Sequence, residues 1–230
     1  MPSAQQLFAK GLATYQKIVA ANYMGHHEVY DLLHLVLMEE APSNFVFADL
    51  GCGMAAGSAA ALAGTRVARY VGIDISQPSL NIAKEALSRL SCPVDLRCQD
   101  FVAAVIHWIG PLDVVWIGQS LHHLRAEDKK TFMRMVESLL SPGGLFLIWE
   151  PTCLEGEDRE AWMDRFCRMR PRWSTFTDEE FAAVDSHNRA SDFPETTSTW
   201  IRMARAAGFG KADELLSAPN QMTRVYRFRH

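Results

Sequence analysis

Three carboxylates recur at the same kind of place in this chain. Asp49 closes the apolar run FVFAD, Asp74 closes RYVGID, and Asp100 closes VDLRCQD. Behind the first acid runs a loop of small residues, GCGMAAGS. Gly51 and Gly53 in that loop accept φ > 0 and let a ligand approach the backbone where a Cβ would clash. An acid at the tip of the second strand behind such a loop is where a nucleotide-binding sheet holds ribose hydroxyls, and a carboxylate suits the task because it offers two acceptor oxygens. Two further groups could move protons. His122 and His123 follow the run LDVVWIGQS, and imidazole titrates near neutrality, as a general base must. Glu150 ends LFLIWE just before Pro151, where it could hold a substrate amine or hydroxyl, or equally bond neighbouring backbone N–H groups.

These residues need elements to carry them. Apolar runs closed by Gly or an acid read as buried strands at 45–50, 69–74, 94–98, 112–118 and 145–150. Between them lie helical patterns. Ser76 is placed to cap a helix with Leu80, Ala83, Leu87 and Leu90 on one face, 101–109 reads as a short helix, and 129–140 is amphipathic until SPGG stops it. Alternation at this length implies a mainly parallel sheet with helices on both faces and ligands at the carboxyl ends of the strands. Asp49, Asp74, Asp100, Gln119 and Glu150 all fall at such ends or just beyond.

The two ends of the chain are different in kind. Residues 1–40 read as two helices, the first with Leu7, Phe8, Leu12, Tyr15, Ile18 and Val19 at helical spacing, the second stopped by Pro42. The aromatic and histidine content of NYMGHHEVY, with Tyr23, His26, His27 and Tyr30, fits either a lid or an amphipathic helix with Tyr at its boundary. From Pro151 to about Ser198 the alternation breaks. EGEDREAWMDRFCRM reads as a helix, Thr177 and Glu180 form a capping box, and HNRASDFPETTSTW reads as a polar loop. His26, His187, Asp192 and Glu195 are the weaker polar candidates of these two segments. Trp162, Trp173 and Trp200 either wall a pocket or pack the insertion. KADELLSAP and TRVYRFRH close the sheet as an antiparallel hairpin.

Composition sets bounds. With 230 residues and 48% hydrophobic content the chain suits one α/β domain, and a net charge of −4 without a basic block gives no indication of nucleic acid. No run of 18 apolar residues exists, and the start lacks a signal-peptide core. Five cysteines, an odd number without a CxxC pair, read as reduced thiols in the cytoplasm. No HxxxH or HExxH pair is present, and neighbouring histidines on a helix point some 100° apart, so no metal site is expected.

The motifs DLGCG, GIDIS, CQDF, LDVVWIGQSLHHL and PGGLFLIWEP, in that order and at family-like spacing, resemble the class I S-adenosylmethionine (SAM)-dependent methyltransferases. The resemblance covers residues 45–150 well and the rest loosely. It implies a Rossmann-like, seven-stranded, mainly parallel sheet with helices on both faces and a C-terminal antiparallel hairpin. The chain then divides into a helical N-terminal lid over 1–44, a SAM-binding core over 45–150, a helical substrate cover over 151–205 and closing strands over 206–230. It further implies that Gly51 and Gly53 give backbone room beside the methionine part of SAM, and that Asp49 orients that loop. Asp74 would accept from the ribose hydroxyls, Ile75 would pack on the adenine, and Asp100 would accept from the adenine amino group beside Phe101. Gln119 would face the sulfonium, and Tyr23 of the lid joins the cofactor side. His122, His123 and Glu150 are the candidates for acting on the acceptor. Ala55 stands where the family usually has a third glycine, with Gly57 close by.

Methyl transfer from a sulfonium asks mainly for positioning, with a base needed only where the nucleophile carries a proton. The expected reaction is transfer of methyl from SAM to O, N or C of a small molecule. The NPPY-type tetrapeptide of amino methyltransferases is absent, since Gly118–Gln119–Ser120–Leu121 follows the fourth strand. The rival readings are a non-catalytic SAM sensor or partner subunit of the same fold, and a dehydrogenase. The latter lacks its GxGxxG spacing, because residues 51–56 read GCGMAA. The N-terminal helices leave an exposed face that a homodimer would use.

Overall fold

Side chains alternate across every central strand, and that alternation builds two cores at once. In β1 (Phe45–Leu50), Phe45 and Phe47 point to one face and Ala48 and Leu50 to the other; β4 (Leu112–Gly118) sends Val114 and Trp116 with the first pair and Val115 and Ile117 with the second. The computed structural model describes residues 4–230, with side chains from Gly11 onward; the expected apolar positions Leu7 and Phe8 lie outside those side chains. β2 (Val67–Asp74), β3 (Val94–Cys98) and β5 (Leu140–Cys153) run parallel to β1 and β4, while β7 (Lys211–Ser217) and β8 (Thr223–Arg229) form the expected antiparallel hairpin. The order across the sheet is β3-β2-β1-β4-β5-β8-β7. Chain order reverses between β1 and β4, which places the binding crevice above their carboxyl ends. The sheet has eight strands rather than the expected seven, because the two-residue β6 (Glu195–Thr196) pairs with the end of β5 through Thr152 and Cys153.

Helices cover both faces. α2 (His26–Glu40), α3 (Ala56–Leu62) and α4 (Gln77–Ala86) pack on the Phe47 and Trp116 side. α5 (Phe101–Ile106), α6 (Ala126–Leu139) and α9 (Thr197–Ala207) pack on the other. Ser76 accepts from Ser79 N at the start of α4, as read from sequence. The expected helix over 101–109 stops at Ile106, with His107 as its C-cap.

A third apolar cluster lies above the sheet. It joins Ile18 of α1 (Ala4–Ala20) to Trp162, Met163 and Phe166 of α7 (Arg159–Cys167), and to Trp173, Phe176 and Phe181, the last on α8 (Asp178–Ser191). The capping box of Thr177 and Glu180 starts α8. The stretch expected to be a loop from His187 continues as helix to Ser191. Arg159 accounts for it: its guanidinium donates to the carbonyls of Arg189 at 2.5 Å and Asp192 at 2.6 Å, partners that the last turn of a helix otherwise lacks. Trp200 is fully buried in the sheet core beside Tyr226, so it belongs to packing and not to a pocket wall. Among the described residues no helix is long and apolar enough to cross a membrane, and all five cysteines are free.

Candidate functional site

Two glycines fold the loop after β1 back on itself. Gly51 has φ 74°, and a Cβ there would sit 2.3 Å from Ser120 Oγ, so only glycine lets this loop rest against the turn after β4. Gly53 has φ 53°, and a Cβ there would meet nothing within 4 Å. Asp74, at the tip of β2, ties the loop down: its two oxygens accept from Gly53 N and from Ser76 N, each at 2.8 Å. Burial raises the Asp74 carboxyl, and those two N–H groups pull it back. Asp49 lies at the floor, 2.7 Å from the Tyr70 hydroxyl that donates to it. Burial pushes Asp49 up to about 6, against hydrogen bonds from Ser58 and Tyr70 that favour its charged form.

A cavity of about 1000 Å³ opens over this floor. Asp49, Gly51, Gly53, Asp74, Gln119 and Tyr23 line it, as do His122 and His123. The structure does not bring Ile75, Asp100 or Phe101 to its wall. Asp100 instead caps α5 by accepting from Ala103 N at 2.9 Å, and Phe101 packs edge-on against Phe132 at 5.4 Å. Gln119, with φ 59°, turns its amide toward Trp149 O at 3.3 Å. Tyr15, counted in the sequence only as an apolar helix position, is part of the same wall, where burial and the charges of Asp49 and Asp74 push its hydroxyl up to about 12. His26 faces the cavity too; burial drives its imidazole down to about 4, and its Nδ1 has no hydrogen-bond partner among the described residues.

The far end of the cavity carries a polar cluster. Glu150 is fully buried and reaches no ligand space. One of its oxygens accepts from Ser120 N at 3.2 Å and Leu121 N at 2.9 Å; the other takes His122 N at 3.1 Å and His122 Nδ1 at 2.6 Å. It thus serves backbone and imidazole and does not contact an acceptor. Burial pushes its carboxyl up to about 7, opposed by the three backbone N–H groups. His122 and His123 lie in a 3-10 turn, Leu121–His123, and their rings stand 4.2 Å apart. Against the expectation that neighbouring imidazoles diverge, both meet Asp192: His122 Nε2 is 3.5 Å and His123 Nδ1 3.4 Å from its Oδ1. Burial holds His122 well below the usual imidazole range. Burial would lower His123 as well, but the hydrogen bond and charge of Asp192 outweigh it and His123 is raised. Asp192 is lowered, since the charges of His122 and His123 overcome the burial that would raise it. His187 is beside them, its ring 5.8 Å from that of His123. Trp162, Phe166, Met169 and Trp173 make the apolar wall on this side.

Lys129 holds the Asp192 segment in place, and no sequence signal marked it. It is fully buried on α6, 2.8 Å from Glu195 and hydrogen-bonded to Phe193 O, with Trp200 beneath it at 5.2 Å.

The chain is similar to known proteins in ways that bear on this cavity. Residues 47–144 match a methyltransferase domain family. Carboxy-S-adenosyl-L-methionine synthase 1 of Yersinia pseudotuberculosis is 27% identical over 210 residues, covering 90% of this chain and 86% of that one. The carboxy-S-adenosyl-L-methionine synthase of Chromohalobacter salexigens is 24% identical over 205 residues, 87% and 74% of the two chains. Among solved structures, the CurJ carbon methyltransferase aligns with TM-score 0.67 and 18% identity over 99% of this chain and 61% of that longer one. Magnesium protoporphyrin IX methyltransferase of Synechocystis with bound SAH aligns with TM-score 0.58 and 16% identity over 94% and 86%. At such identities the structural likenesses are likenesses of fold.

Proposed function

We propose that the chain is a class I SAM-dependent methyltransferase whose cavity holds SAM over the glycine loop and a mainly apolar small-molecule acceptor under the Trp162 and Trp173 wall. The reaction is transfer of the SAM methyl group to that acceptor. One observation carries the reading: a single cavity runs from Asp74 and the glycine loop to His123 and Asp192. Its volume of about 1000 Å³ lies at the upper end for one small ligand, which suits a cofactor and an acceptor side by side.

The residues present fit SAM. Gly53 carries no side chain toward the open space, and Asp49 and Asp74 put negative charge beside a ligand that bears a sulfonium and an ammonium. Each Asp74 oxygen that accepts one backbone N–H keeps a further lone pair for a ribose hydroxyl. Tyr15, beside the charges of Asp49 and Asp74, closes the cofactor side from the N-terminal segment, whereas Tyr23, stacked on Trp173, lies on the acceptor side. When bound, SAM supplies the electrophilic methyl carbon; the protein supplies alignment and exclusion of water. His123 and His122, beside Asp192, face an acceptor held against the apolar wall of Trp162, Phe166, Met169 and Trp173, and Glu150 acts through His122 as a positioning residue.

The named relatives suggest a second reading, carboxylation of SAM itself. A carboxyl donor that is itself a carboxylic acid, ionised at neutral pH, asks for a cation to hold it. Among the described residues no Arg or Lys lines the cavity, which supports methyl transfer to a neutral acceptor over recruitment of a carboxylate.

Calorimetric titration with SAM and S-adenosylhomocysteine tests the proposal. Asp74→Ala should weaken both by roughly tenfold to a hundredfold for each charged hydrogen bond lost, at about 1.5–3 kcal/mol apiece. Asp74→Asn, which keeps an acceptor for Gly53 N, separates ribose binding from loop anchoring. Unchanged affinity in both folded variants would place the ribose elsewhere.

A further inference from the structure

The turn after β4 and the segment after α8 arrive at the cavity with more order than apolar packing requires. Glu150 takes the Nδ1 proton of His122 at 2.6 Å while also accepting three backbone N–H groups of the same turn. When Glu150 is ionised it only accepts, so Nδ1 is then the protonated nitrogen of a neutral His122 and Nε2 is left with its lone pair. That lone pair faces Asp192 Oδ1 at 3.5 Å. Two acceptors are thus aimed at one another in a nearly dry place. His123 Nδ1 donates to Ser191 O at 3.2 Å and approaches the same Asp192 oxygen at 3.4 Å, so an ion bound there would replace the proton on that nitrogen. The donor atoms of all three residues lie within 4.8 Å of one another.

We propose that His122, His123 and Asp192 form a binding site for a divalent transition-metal ion. Ligands about 2.0–2.1 Å from a tetrahedral ion are spaced about 3.4 Å apart, and the two separations that share Asp192 Oδ1 match that edge. Two imidazoles and one carboxylate are a donor set for Zn(II), Fe(II), Co(II) or Ni(II), not for Mg(II) or Ca(II). The His122 side of the arrangement is built before any ion arrives, while His123 gives up its Nδ1 proton on binding. The carboxylate–imidazole pair of Glu150 and His122 is the outer support that metal-bound histidines use to fix tautomer and ring plane. Asp192 is held by backbone on both sides: Phe193 N donates to His122 O at 2.8 Å, and Arg159 Nε donates to Asp192 O at 2.6 Å. All three ligands line the cavity, so the remaining coordination positions face the acceptor space. An acceptor oxygen would complete the sphere there; this role, though not the site itself, rests on the proposed methyl transfer.

The test uses the whole protein freed of metal with a chelator and titrated with Co(II), read by calorimetry and by visible absorption. SAM is titrated into the same metal-free samples. The expected result is about one Co(II) per chain with the absorption of a low-coordinate N/O site, and a loss of affinity of more than about tenfold in Asp192→Asn. His123→Gln is the second variant should Asp192→Asn not fold. No stoichiometric uptake, or uptake unchanged in the folded variants, overturns the site. SAM binding by the metal-free protein in that case leaves the cofactor reading standing, and its absence beside intact Co(II) uptake would overturn that reading alone.

Discussion

Ala55 shows how much a single backbone angle can cost. It occupies the left-handed region with φ 54° and ψ 11° at the N-cap of α3, where the family pattern usually has glycine. An L-residue there loses about 1 kcal/mol that glycine would not. Ala55→Gly should therefore raise stability by about 0.5–1 kcal/mol in denaturant unfolding, even though the same change adds freedom to the unfolded chain. A fall in stability would mean that the methyl group's burial outweighs the strain. Residue positions at this scale were legible where the demand was local. Gly51, Gly53 and Asp74 fall where their types demanded. Asp100 was read as a ligand group and is a helix cap, because one strand-end acid serves either purpose and only the cavity's outline separates them. Asp192 was a weak guess, since nothing local to it announces two imidazoles arriving from a turn 70 residues earlier.

At the scale of elements, the long-range tie is Lys129. Its neighbours in sequence mark the exposed start of an amphipathic helix, yet it is buried and fastens the β6 segment through Glu195 and Phe193 O. Lys129→Ala leaves Glu195 short of its partner and should cost roughly 3–5 kcal/mol in chemical denaturation. It should also loosen Asp192, so Co(II) affinity would fall along with stability. A loss below about 1 kcal/mol would show that the segment is held by β6 pairing and the Arg159 contacts instead. Strands, caps and the closing hairpin were readable from periodicity because burial on one or both faces dictates it. The extra turns of α8 were not, since their carbonyls are satisfied by an arginine from another helix.

Across the whole molecule, buried ionisable groups set opposing slopes of stability against pH. His26 stays neutral in the fold down to about 4, whereas in the unfolded chain it takes up a proton near 6.5. Acid therefore favours unfolding through this residue, by up to roughly 3 kcal/mol between those limits. Asp49, raised to about 6, and Glu150, raised to about 7, act in the other direction: the fold takes up their protons before the unfolded chain does, so their contribution rises as pH falls from 7 to 4. Replacing His26 by Leu should tilt the stability curve toward acid relative to the unaltered protein. Parallel curves from pH 7 to 4 would show that His26 titrates normally in the fold.

The contacts between the chain's two coverings have a kinetic consequence. Tyr23 stacks on Trp173 at 4.8 Å, its hydroxyl meets Thr175 Oγ1 and N at 2.9 Å each, and Lys17 pairs with Glu180. Segments some 150 residues apart in sequence are thus fastened to one another above a shared chamber. Whatever parts them uncovers both halves of it in one event. Spent cofactor and modified product would then leave past the same pair of segments, and loosening the Tyr23–Trp173 stack should shorten the stay of both.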